Sequence, residues 1–214
     1  MRHMGKVNRV VKILIYSDLI IVTAFALYGP IFAIFISQQI EGGGVQVAGM
    51  AAAVYWVTRA IVQLPISRYL DRHDGERDDF WALVLGSILV SAVPFLYLFA
   101  RAPEHVYMLQ FLYGLGDSLA VPTYLAVFGR HVDKGHSSGE WGLRSTVVGI
   151  GAALAGALGG LLADKFGFPA VLVTTSILSF VGSFMLLMLY GFMSPRTKGG
   201  HMMRAHPPMK EHGH

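Results

Sequence analysis

Arg59 and Asp117 each lie deep inside an otherwise apolar run, at matching depth and with opposite charge. A charge at the centre of a hydrocarbon layer costs about 2.5–3.5 kcal/mol on insertion scales, so such a residue faces protein or water and tends to pair. The placement predicts an Arg59–Asp117 ion pair. Both residues belong to polar stripes at helical spacing: Tyr55, Arg59, Gln63 and Ser67 on one segment, and Gln110, Tyr113, Asp117 and Tyr124 on another. A third segment presents Asp18, Phe25, Tyr28 and Phe32, an aromatic face with one carboxylate. Together these groups could line a path for a solute or an ion. Carboxylates withheld from water bind protons more readily, so Asp18 or Asp117 could take up a proton and pass charge to Arg59. The competing readings are structural. Arg59–Asp117 could clamp two helices, Asp18 could cap a helix or sit at the interface, and Gln110 and the tyrosines could bond across helices. Arg144, four residues after Glu140, reads as half of an ordinary helix-surface pair.

The segments that must position these residues are membrane spans. The chain is 54% hydrophobic and 14% charged, with a mean hydropathy of +0.53, too apolar for an ordinary water-soluble domain. Crossing a bilayer takes roughly 20 mainly apolar residues. Six stretches qualify, at 13–38, 45–67, 80–100, 104–129, 142–163 and 168–193. The expected fold is an all-α membrane protein of six transmembrane helices. One domain at 13–193 lies between a basic N-terminal segment, 1–12, and a disordered His/Met-containing tail, 194–214. Little chain remains for a soluble catalytic domain, and no enzyme activity is expected.

Lys and Arg are distributed unevenly. With six spans both termini share a side, which carries Arg2, Lys6, Arg9 and Lys12, then Arg68, Arg72 and Arg77, then Arg130, Lys134 and Arg144, and finally Arg196, Lys198, Arg204 and Lys210. The opposite loops offer Arg101 and Lys165. The positive-inside rule therefore predicts both termini in the cytoplasm, with the cell membrane as the expected location. The net charge of +4 describes these rims rather than a nucleic-acid surface. The first apolar run is too long for a cleaved signal peptide and is expected to stay. Ser137 and Glu140 read as a capping box opening the fifth span, and Trp81 and Trp141 fall at cytoplasmic ends, where indoles favour the headgroup layer. Cysteine is absent, which removes disulfides and thiolate metal sites.

Two loops carry a repeat. Gly160-Leu-Leu-Ala-Asp164-Lys165-Phe-Gly167 follows the fifth stretch, and a degenerate copy, Ser67-Arg-Tyr-Leu-Asp71-Arg72-His-Asp-Gly75, follows the second. Matching loops three helices apart lie on opposite membrane faces, the mark of two inverted three-helix repeats. The 160–167 string resembles the signature loop of the major facilitator superfamily, with Ser67 replacing the expected glycine in the first copy and Gly75 one residue late. Gly151-Ala-Ala-Leu-Ala155-Gly156-Ala-Leu-Gly159-Gly160 resembles the glycine-rich motif of the superfamily's antiporters, with Ala155 and Gly156 where Gly and Pro are expected. Gln110-x-x-x-Gly114-x-Gly116 also resembles the family, without the usual preceding arginine. The resemblance covers about 13–193. Gly149, Gly151, Gly156 and Gly159 also suit simple backbone-to-backbone helix packing.

The resemblance implies secondary transport of a small solute by alternating access, with helices 1 and 4 lining the path. Such transporters have two six-helix halves, and this chain supplies one. Two copies on a twofold axis would regenerate the whole, so a homodimer is expected in the lipid bilayer, with a proton as candidate coupling ion. The rival reading is a non-transporting, facilitator-like subunit or scaffold that pairs with another protein. Other classes lack their residues. Gly116-Asp-Ser118 has no intramembrane histidine placed to activate the serine, and no P-loop is present. His201, Met202, Met203, His206, Met209, His212 and His214 gather in the tail, but their spacing fixes no coordination geometry, so neither metal nor cofactor is expected.

Overall fold

The computed structural model describes residues 8–71, 76–132 and 137–193, and among them the regular structure is entirely helical. Helix α1 spans Arg9–Tyr28, started by Asn8, whose side chain accepts from the Val10 amide at 3.0 Å. A 3₁₀ turn at Gly29–Ile31 follows, where Pro30 supplies no N–H, and the chain resumes as α2, Phe32–Gln39. Next come α3 (Val45–Asp71), α4 (Glu76–Leu96), α5 (Pro103–His131) and α6 (Ser137–Met185). By length and composition five helical runs can cross a membrane: Arg9–Gln39, Val45–Leu70, Glu76–Phe99, Pro103–His131 and Ser138–Phe192.

The expected fifth and sixth stretches thus fall within one helical run, but that run is not straight. Gly167 has φ 80° and ψ 168°, outside the helical region and cheap only for glycine. Before it, Gly151 packs on Leu19 and Thr23 of α1; after it, Gly182 packs on Ser17, Ile20 and Ile21. Positions 151 and 182 would lie about 46 Å apart along a straight helix, yet they meet the same turns of α1. The chain therefore doubles back at Gly167.

Two apolar clusters mark the ends of the bundle. Leu14, Phe80, Phe128 and Leu189 meet at one end; Phe35, Tyr97, Val106 and Leu172 meet at the other. At the first end Asn8 donates to the His131 carbonyl at 3.3 Å, and Arg130 pairs with Asp79. At the second, the Glu41 amide donates to the Arg101 carbonyl at 2.9 Å. α5 packs against α3 and α4, α4 also against α6, and α6 along α1.

Close helix approach explains several glycines. A Cβ on Gly159 would lie 1.7 Å from the Leu27 carbonyl oxygen, so any side chain there would push α6 off α1. A Cβ on Gly151 would meet Thr23 Oγ1 at 2.4 Å, whereas one on Gly156 would make ordinary contact, 3.7 Å from Ala26 and Pro30. Gly149 and Gly160 face open space. The packing reading of Gly149 therefore has no partner among the described residues.

Candidate functional site: two Asp–Arg pairs along α5

Tyr55, Arg59 and Gln63 recur every fourth residue on α3 and so share one face. That face reaches α5 because Gly114 lets the helices touch: a Cβ there would lie 2.9 Å from Thr58 Cβ and 3.0 Å from the Tyr55 carbonyl. Arg59 Nη1 stands 2.9 Å from Asp117 Oδ2, as the matching depths predicted. Tyr55 joins both: its hydroxyl donates to Asp117 Oδ2 at 2.5 Å and accepts from Arg59 Nη1 at 2.9 Å. Arg59 Nε donates to Gln63 Oε1 at 3.1 Å, and the guanidinium lies 5.4 Å from the Trp56 ring centre. Both members of the pair are mostly buried, with 19% of the Arg59 and 14% of the Asp117 side chain exposed.

An aromatic column leads away from this cluster. Tyr113 stacks on Tyr55 at 4.9 Å and on Phe25 at 5.4 Å. Phe25 contacts Tyr28, Tyr28 contacts Phe32, and Phe32 contacts Tyr97, with ring centres 5.3–5.7 Å apart. Tyr28 is buried within the column, and Gln110 is buried one turn from Tyr113 on α5.

Tyr124 does not join the first cluster, although it shares a stripe with Asp117. It lies seven residues further along α5, about 10 Å at 1.5 Å per residue, and there meets different neighbours. Arg144 Nε donates to the Tyr124 hydroxyl at 3.0 Å, and that hydroxyl reaches the Leu14 carbonyl at 3.4 Å. Arg144 Nη2 lies 2.8 Å from Asp18 Oδ2. The two form a largely buried ion pair, with 24% of the Arg144 and 13% of the Asp18 side chain exposed. The Arg144 guanidinium packs 5.0 Å from the Tyr124 ring centre and 5.9 Å from that of Trp141.

Arg144 thus reaches across the bundle to α1, a role its spacing from Glu140 did not suggest. Its distance into the helix beyond the Ser137–Glu140 start was the available signal. Trp56, three residues before Arg59, and Phe25 also belong to the assembled site. Of the signature-loop residues, Asp164 and Lys165 are exposed where α6 turns at Gly167. Asp71 ends α3, while Arg72 and Gly75 of the degenerate copy lie outside the described residues, as do segments 1–7 and 194–214. Among the described residues no group of three or more His, Cys, Asp or Glu side chains could hold a metal ion.

This all-helical arrangement has known counterparts. The protein superposes on the POT family transporter PepTSo, solved in meso, with a TM-score of 0.72 and 19% identity, covering 92% of this chain and 40% of that one. It is 31% identical over 175 residues to the maltose permease of Geobacillus stearothermophilus, a match covering 80% of this chain and 44% of the permease. The chain thus spans about two-fifths of the length of each. The family model of the Major Facilitator Superfamily matches residues 16–208. With nearly the whole apolar bundle inside that match, the chain is an integral, multi-pass membrane protein that belongs to the Major Facilitator Superfamily.

Proposed function

We propose that the chain is one half of a secondary transporter that moves a small solute by alternating access, with a proton as coupling ion, and that a second copy supplies the other half. The observation that carries this reading is the Arg59–Asp117 cluster. It sits midway along α3 and α5, neutral as a pair yet still partly open on one side. In a bilayer such a side has to meet water or protein, because lipid satisfies neither charge. α3 lies at the edge of the bundle: 17% of its most apolar window is buried, against 50% for α4. A twofold partner would cover that edge and enclose an aqueous path between two like faces.

The reading counts six spans in two inverted repeats, and the reversal of α6 at Gly167 supports treating its two arms separately. The reading has both termini in the cytoplasm, because Lys and Arg crowd the segments on the terminal side, and takes the cell membrane as the location. The 40–44% coverage of the two relatives leaves room for a second six-span unit. The similarity to a maltose permease favours a neutral, hydroxyl-rich solute. Arg59, Gln63 and Asp117 offer donors and acceptors for hydroxyls, and Trp56, 60% exposed, offers an apolar face.

The test is maltose uptake into liposomes carrying the purified chain under an imposed pH gradient, alongside its mass in lipid nanodiscs. Accumulation by a dimer supports the reading. A monomer that moves no maltose with or without the gradient refutes it in favour of a non-transporting subunit.

A further inference from the structure

Three apolar helical runs have an end at the same membrane surface: one begins at Arg9, one begins at Glu76, and the last ends at Phe192. The closing 3₁₀ segment, Leu186–Phe192, packs against both α1 and α4 and so brings these ends together. Leu186 and Leu189 are buried in the apolar cluster of this end, which fixes the segment and leaves Tyr190 and Phe192 facing outward, 47% and 41% exposed. Arg77 Cζ lies 5.4 Å from the Tyr190 ring centre, and Arg9 Cζ lies 5.9 Å from that of Phe192. One guanidinium therefore flanks the segment from α4 and the other from α1.

Both arginines are exposed, and among the described residues neither is paired with a carboxylate, nor is Lys12 one turn beyond Arg9. The acids of the first turn of α4 do not cancel them. Asp79 and Glu76 face Arg130, which leaves Asp78 against three cations. In sequence, Arg9 follows Arg2 and Lys6, and Phe192 precedes Arg196 and Lys198, so the flanking chain adds positive charge only. Deeper in the layer, Leu85, Phe184 and Met188 present exposed apolar side chains. Arg68, also exposed at this end, lies against no ring among the described residues.

We infer that Arg9 and Arg77, backed by Phe192 and Tyr190, seat the headgroup phosphate of an anionic phospholipid whose acyl chains lie along the apolar face beneath. A guanidinium resting on a ring is held in place, yet its N–H fork stays free for phosphate oxygens. Basic residues near a bilayer surface attract anionic lipids. A zwitterionic lipid brings its own ammonium into a patch that is already basic, so it fits less well. The seat is independent of the transport reading above.

Trp81, 48% exposed and with its ring centre 6.3 Å from that of Tyr190, reports on the seat. The chain with Trp56→Phe and Trp141→Phe keeps this indole as its one tryptophan. It is placed in phosphatidylcholine nanodiscs containing increasing fractions of phosphatidylglycerol or phosphatidylcholine brominated on the acyl chains. Brominated phosphatidylglycerol is expected to reach half-maximal quenching at a fraction about fivefold lower, or less, than brominated phosphatidylcholine. Arg9→Gln with Arg77→Gln should bring the two lipids close to parity, whereas Arg68→Gln should leave the preference intact. Native mass spectrometry of the chain with all its tryptophans, released from mixed nanodiscs, should show retained phosphatidylglycerol that the Arg9→Gln/Arg77→Gln variant loses.

Equal quenching by the two lipids overturns the seat. A preference that Arg68→Gln lowers as much as the double variant does belongs to the general surface charge and also overturns it. Relief of quenching by millimolar glycerol 3-phosphate would reveal a site for free phosphate esters and refute the lipid as its occupant. Retention of phosphatidylglycerol by the double variant at the level of the unaltered chain refutes the role of the two arginines.

Discussion

Asp117→Asn separates the charge of the central cluster from its shape. Asparagine matches aspartate in size and can still accept from the Tyr55 hydroxyl, but it leaves Arg59 without a counter-ion. Removing one partner of a buried pair typically costs about 3–5 kcal/mol. Here Arg59 retains Gln63, Tyr55 and its contact with Trp56, and the pair is 14–19% exposed. The expected loss is therefore about 2 kcal/mol, below that range because of the retained partners and solvent screening. The double variant Arg59→Gln/Asp117→Asn strands no charge and should recover more than half of the loss, a coupling that a double-mutant cycle of denaturant unfolding in mixed micelles would read. In liposomes, Asp117→Asn should abolish maltose accumulation driven by a pH gradient while the folded fraction stays near that of the parent. Uptake by Asp117→Asn with the parent's pH dependence would refute a proton role for this carboxylate. A stability loss under 0.5 kcal/mol would also show that the pair is too well solvated to need its partner.

Other consequences concern packing and assembly. Gly159→Ala should cost at least about 1–3 kcal/mol, because its Cβ would meet the Leu27 carbonyl; Gly149→Ala, facing open space, should change thermal stability little. Gly167→Ala should cost about 1–3 kcal/mol, because φ 80° with ψ 168° is a backbone region nearly reserved for glycine, read in the same unfolding assay. Arg130→Gln removes a half-exposed partner of Asp79 and should cost no more than about 1 kcal/mol, a difference that shrinks in high salt. In the cysteine-free background, Gly149→Cys should cross-link two copies of the chain, whereas Gly151→Cys, held against α1, should not. Equal cross-linking at both positions would argue against the twofold arrangement.

Hydropathy alone placed the apolar stretches, because span length is set by bilayer thickness and needs no partner. Depth within a stretch is likewise a one-dimensional quantity, and it sufficed to pair Arg59 with Asp117. What the linear pattern could not supply was the rotation of each helix and the identity of its neighbour. Tyr124 and Asp117 share a stripe on α5, but a helix two turns long in that interval passes from α3 to the α1–α6 crevice, and the stripe divides between two clusters. Arg144 had a plausible local partner in Glu140, and only the packing of α6 along α1 brought it to Asp18. The glycines make the same point. Gly149 and Gly159 look alike in sequence, yet one faces open space and the other touches a carbonyl, since close approach belongs to the crossing of two helices and not to either one.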